Sequence, residues 1–163
     1  MRESVRRLTA LSAEEMRAWG ARLADALRAA NPREPFVLGL SGDLGTGKTT
    51  LVGGLLAALG HEGPARSPTY SLIEPYRLAG RDVYHCDLYR LRDPAELDDL
   101  GLRDLLAGPR VLLVEWPERA GDRLHEPDLA LFLEYAGEGR RLSLAPASEP
   151  GRRVAAALRL DPI

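Results

Sequence analysis

The order of patterns along this 163-residue chain predicts an α/β fold: a mixed sheet flanked by helices, with antiparallel hairpins. Three observations predict it. A short apolar run ending in glycine, "FVLGLSG", leads through a glycine-rich turn into the helical "KTTLVGGLLAALG". A second apolar run, "RVLLVEW", has the composition of a buried parallel strand. Two longer segments, "YSLIEPYRLAGRDVYHCDLYRL" and "DLALFLEYAGEGRRLSLAPA", carry strand-like residues on both sides of a short turn, as hairpins do.

The elements follow in order. In "LSAEEMRAWGARLADALRAA", Ser12 is an N-cap with Glu15 three residues on, and Met16, Trp19, Leu23 and Leu27 recur at helical spacing. Gly60 stops the helix that begins near Lys48. Asp93 and Pro94 open a further helix through "DPAELDDLGLRDLLAG", and "EPGRRVAAALRL" ends the chain as another.

The length fits one domain, residues 1–163, able to bury roughly two-thirds of its unfolded surface. A lone cysteine, Cys86, excludes an internal disulfide and a cysteine-rich zinc site, so a reducing, cytoplasmic compartment is the expectation. No apolar run approaches the roughly 20 residues of a membrane span. A net charge of −2 gives no overall basic footprint, so nucleic acid is not an expected direct ligand.

Of the 22 lysine and arginine residues only Lys48 is a lysine, and it stands in "LSGDLGTGKTTL". Gly42, Gly47, Lys48 and Thr49 fit the phosphate-binding pattern G-x-x-x-x-G-K-[ST], a P-loop between a strand and a helix. Glycines let the backbone approach phosphate oxygens, and the helix N-terminus favours an anion. A compact ammonium reaches phosphates from inside such a loop, where a planar guanidinium would not fit. The candidate binding residues are therefore Gly42, Asp43, Leu44, Gly45, Thr46, Gly47, Lys48, Thr49 and Thr50, with a nucleoside triphosphate and Mg²⁺ as the expected ligands.

Magnesium needs hard oxygen ligands. Thr49 offers a hydroxyl, and Glu115 at the end of "VLLVE" offers the strand-end carboxylate that many P-loop proteins supply as aspartate. Glutamine is absent, so orienting water for hydrolysis falls to carboxylates or hydroxyls. Asp87 is the candidate, open to a second reading as a turn residue or a partner of Arg90. Thr69 in "SPTY" is a candidate switch threonine or simply part of a proline corner. His85 beside Cys86 suggests a metal pair, but adjacent strand residues face opposite ways, so packing is the expected role. Trp116 is expected to wall the nucleotide site or to anchor its loop.

Taken together, "GDLGTGKTT", "SPTYSLIEPY", "HCDLYRL", "DPAELDDLGL" and "VEWPERAGD" closely resemble the TsaE (YjeE) family of bacterial P-loop ATPases, over roughly residues 8–145. The resemblance implies ATP and Mg²⁺ as cofactors, Lys48, Asp87 and Glu115 as catalytic residues, and Thr49 and Glu115 toward the metal. It also implies action with TsaB and TsaD in making threonylcarbamoyladenosine beside the anticodon of tRNA, with tRNA met only through that complex. The resemblance further implies that the hairpin at "GEGRR" approaches the base, which makes Gly139 and Arg140 candidates. Cys86 departs from the aromatic residue expected in many relatives.

Two other readings use the same loop. A small-molecule kinase would need an acceptor pocket and an arginine-bearing lid, and no lid segment is evident. A non-hydrolysing assembly factor would use ATP only to select a conformation.

Overall fold

The computed structural model describes residues 6–10, 12–64, 72–78 and 80–158. Along the chain these form β1 (Arg6–Ala10), α1 (Ala13–Ala30), β2 (Phe36–Gly42), α2 (Lys48–Ala58), β3 (Ile73–Leu78), β4 (Arg81–Asp87), α3 (Glu96–Asp99) and α4 (Leu102–Ala107). β5 (Arg110–Glu115), a 3-10 turn (Pro117–Arg123), β6 (Leu129–Ala136), β7 (Gly139–Pro146) and α5 (Glu149–Ala157) complete them.

The described strands join one sheet in the order β1-β7-β6-β2-β5-β4-β3. Its centre is parallel, β2 pairing with both β5 and β6 and β5 with β4, while the β3–β4 and β6–β7 hairpins are antiparallel. This is the mixed sheet that the sequence predicts.

Both faces of the centre are covered, which explains why β2 and β5 read as nearly continuous apolar runs. Alternation sorts their side chains. Phe36, Leu38, Leu40, Val111 and Leu113 share one core with Leu23, Leu51, Leu55 and Val154 of α1, α2 and α5. Val37, Leu112 and Val114 face the other way, into a smaller cluster with Cys86, Leu97 and Leu102.

Local chemistry sets the helix ends. Ser12 accepts a hydrogen bond from the Glu15 amide at 3.1 Å, as the capping pattern predicts, and Met16, Trp19, Leu23 and Leu27 are buried along α1.

Two features depart from the sequence reading. The single helix expected from Asp93 onward is two short ones, α3 and α4, because Gly101 between them has φ 76°, a left-handed conformation that no helix interior accepts. β1 was not expected at all. It lies antiparallel to β7, with Leu8 opposite Leu142, and gives β7 a partner on its outer side.

α1 and α2 cross closely enough that a Cβ on Gly54 would lie 2.1 Å from the Arg17 carbonyl oxygen. That neighbour is backbone and cannot swing aside. Gly54→Ala should therefore destabilise the fold by about 2 kcal/mol despite its better helix propensity. Urea unfolding checks this: the midpoint falls with an unchanged slope, and an unaltered midpoint would show that the two helices separate freely.

Candidate functional site

The C-terminal ends of β2, β4 and β5 lie side by side, the edge where open α/β sheets bind ligands. β2 runs into the turn 43–47, and α2 begins at Lys48 with Gly47 as its N-cap, φ 107°. Among the described residues no side chain caps this N-terminus, so its first amides are left to point where an anion would sit. Gly42 enters the turn at φ 152°, and a Cβ there would meet the Leu133 carbonyl oxygen at 2.4 Å. Only glycine fits that position.

Lys48 is 5% exposed. Its Nζ donates to the carbonyl oxygens of Gly42 at 2.6 Å and Asp43 at 2.9 Å, and it lies 4.5 Å from the centroid of the Trp116 ring. Burial lowers its pKa below the ordinary lysine value, while Glu115 and Asp87 pull the other way. Thr46 is folded under the same turn, its hydroxyl donating to the Asp43 carbonyl at 2.8 Å.

Glu115 is almost wholly buried at the end of β5. Thr49 Oγ1 donates to its Oε1 at 3.1 Å, and His85 Nε2 lies 2.6 Å from its Oε2. Register explains the grouping: Asp87 of β4 stands opposite Glu115, and His85, two residues earlier, shares Asp87's face one step deeper. Asp87 is half-buried, and its Oδ1 accepts from the Tyr89 amide at 3.1 Å. It thus anchors a turn, as one sequence reading had it, while its carboxyl borders the same cavity as Lys48. Burial, then the Glu115 charge, pushes the Asp87 pKa above the usual carboxylate range.

That cavity is about 320 Å³, lined by the turn and by Asp87, Tyr89, Glu115 and Trp116. Trp116 has φ 58°, left-handed and costly for a bulky residue, and in that conformation its ring lies over Lys48 and 5.2 Å from the Tyr89 ring. Trp116 thus forms one wall of this cavity.

A second cavity, about 260 Å³, opens on the far side of the turn, between Met16, Gly45, Gly47, Thr50, Gly139 and Arg140. There the β6–β7 hairpin holds the tip of the turn. Tyr135 Oη donates to the Leu44 carbonyl at 2.9 Å, and Arg140 donates to that of Gly45 at 3.3 Å. The Arg140 guanidinium stacks 4.3 Å over the Tyr135 ring.

Most sequence-selected residues therefore converge. Asp43 and Leu44 to Thr50 form the turn and helix start, Gly139 and Arg140 flank one side, and Asp87, Glu115 and Trp116 flank the other. Thr69 lies outside the described residues. Sequence reasoning missed two residues. His85 and Cys86 do face opposite ways, and burial pushes the Cys86 thiol up to about 12, but His85 is a hydrogen-bonding partner of Glu115 rather than packing alone. Its signal was the two-residue spacing to Asp87. Tyr135 had no local signal, since its partner is 91 residues away.

The residues present fit a magnesium nucleotide. Among the described residues no three His, Cys, Asp or Glu side chains group to hold a metal. Magnesium does not need such a cage, because one or two carboxylates, a hydroxyl, water and phosphate oxygens suffice. Thr49 and Glu115, hydrogen-bonded to each other at the cavity, would be the protein's share of such a shell.

Among the described residues no helix is long and apolar enough to cross a membrane. The family model described as threonylcarbamoyl adenosine biosynthesis protein TsaE matches residues 10–142. A Haemophilus influenzae protein named tRNA threonylcarbamoyladenosine biosynthesis protein TsaE is 38% identical over 139 residues, covering 85% of this chain and 88% of its own. Its Treponema pallidum namesake is 33% identical over 136 residues, covering 83% and 96%. The crystal structure of YdiB from Bacillus subtilis superposes with a TM-score of 0.73 at 28% identity, over 96% of each chain. A matching family model across most of the chain, relatives of this identity and a shared architecture agree: the chain belongs to the TsaE family.

Proposed function

We propose that this protein binds ATP with Mg²⁺ and hydrolyses it as the nucleotide-driven component of the machinery that makes threonylcarbamoyladenosine in tRNA, acting with TsaB and TsaD. The observation that carries the reading is a single corner. The buried Lys48 ammonium lies on the carbonyls of its own loop at the head of α2, beside the Thr49 hydroxyl on Glu115. Family membership and the names of the relatives supply the pathway.

Each residue then has a task. The amides at the start of α2 bind phosphate oxygens, and Lys48 exchanges its loop carbonyls for them, adding a charge-assisted bond. Thr49 and Glu115 would hold Mg²⁺, which when bound neutralises charge on the phosphates. Asp87 borders the cavity with a carboxyl whose raised pKa brings it closer to a proton acceptor's working range, and it orients the attacking water. Trp116 and Tyr89 shield the Lys48 side from solvent. The Gly139–Arg140 side, with its own cavity, receives the nucleoside part.

With no glutamine in the chain, water is positioned only by groups such as Asp87, which is already tied to the Tyr89 amide. Slow turnover alone and faster turnover with partners follow from that. A steady-state phosphate-release assay with and without the TsaB–TsaD complex tests the function; stimulation is expected, and equal rates would contradict it.

Two substitutions divide the site. Lys48→Ala should weaken ATP binding by about 100-fold, the worth of a charge-assisted contact, and Lys48→Arg should be impaired too because the guanidinium has no room among the Gly42 and Asp43 carbonyls. Equilibrium titration of nucleotide reads both, and near-normal affinity in the arginine variant would overturn the steric argument.

Glu115→Ala should raise the magnesium concentration needed for half-maximal turnover. Asp87→Ala should instead lower kcat by about 100-fold or more with nucleotide still bound. Coincident magnesium titrations for the two variants would show the roles to be wrongly divided.

A further inference from the structure

His85 is fully buried, and within the described residues its Nδ1 has no hydrogen-bond partner, so its one polar attachment is the 2.6 Å contact from Nε2 to Glu115 Oε2. Glu115 in turn has both oxygens engaged. Oε1 faces the Thr49 hydroxyl at 3.1 Å, and the same hydroxyl is 3.4 Å from Oε2, too long to hold that oxygen alone. One strand thus supplies both flanking groups. Asp87, opposite Glu115 in the register, stands at the cavity, while His85, two residues deeper on the same face, meets the carboxylate from behind.

We propose that His85 is a positioning residue for the divalent cation: by donating Nε2–H to Oε2 it fixes the Glu115 carboxylate with its other oxygen turned to Thr49 at the cavity. A buried carboxylate without that donor would keep one weakly held oxygen and turn toward Lys48, which lies within electrostatic reach. Groups that hold a ligating side chain from behind commonly set metal affinity by 10–100-fold without touching the metal. This inference rests on the nucleotide and magnesium reading of the site.

The test compares the full-length protein with His85→Leu, His85→Gln and His85→Asn. Glutamine can place an amide donor close to the position of Nε2, whereas asparagine is too short. Two quantities are read: Mn²⁺ affinity by electron paramagnetic resonance with a non-hydrolysable ATP analogue, and analogue affinity in EDTA by calorimetry. His85→Leu and His85→Asn are expected to weaken Mn²⁺ by about 10-fold or more while analogue affinity in EDTA changes less than about threefold, and His85→Gln to retain most of the metal affinity. If the leucine variant fails to fold by circular dichroism, the Gln and Asn pair decides. Equal Mn²⁺ affinity in those two, or an equal loss of metal-free nucleotide binding, overturns the proposal. Wild-type protein that binds no Mn²⁺–nucleotide would overturn the functional reading as well, whereas normal wild-type binding with unaffected variants overturns the role of His85 alone.

Discussion

Lys48 Nζ lies within 2.9 Å of two carbonyl oxygens of its own loop and under the face of Trp116, almost out of water. A buried ammonium is expensive unless every donor is met, and desolvation here pulls its pKa down. The surroundings answer that cost. The turn presents the Gly42 and Asp43 carbonyls inward because Gly42 adopts a conformation that no other residue fits, and Trp116 accepts a left-handed backbone where its ring covers the amine. Glu115 and Asp87 add negative charge from neighbouring strands. Phosphate is the natural replacement for those carbonyls, since it meets the same donors with full charge.

The remaining architecture makes this arrangement rigid. β2 is paired on both sides, so the strand entering the turn cannot shift, and α2 leaves it packed against α1 at a contact that admits no Cβ at Gly54. From the far side the β6–β7 hairpin reaches over, with Tyr135 and Arg140 on the carbonyls of Leu44 and Gly45. A loop held at its base by sheet and helix and at its tip by a hairpin keeps its amides aimed before any ligand arrives, which lowers the ordering cost of binding.

What the sequence made legible was local. The loop, its lysine, Thr49 and Glu115 stand in a contiguous motif or at the end of an apolar run, and the parallel centre follows from such runs alternating with helices. Pairings across the sheet were not legible. Whether His85 meets Glu115 depends on the register of β4 against β5, and Tyr135 finds Leu44 only after the hairpin folds back. β1 escaped because a short edge strand rich in arginine carries no apolar run. The break between α3 and α4 turned on Gly101, whose left-handed conformation the surrounding "DDLGLRD" does not announce.

On the proposed function, three strand ends and one helix start form a single phosphate and cation corner. A crystal structure of the protein with Mg²⁺ and a non-hydrolysable ATP analogue tests it most directly. Phosphate oxygens are expected on the amides at the start of α2, with Lys48 Nζ turned from the Gly42 and Asp43 carbonyls to the phosphates and the cation beside Thr49 and Glu115. Nucleotide bound elsewhere, or a cation held away from both residues, would contradict it.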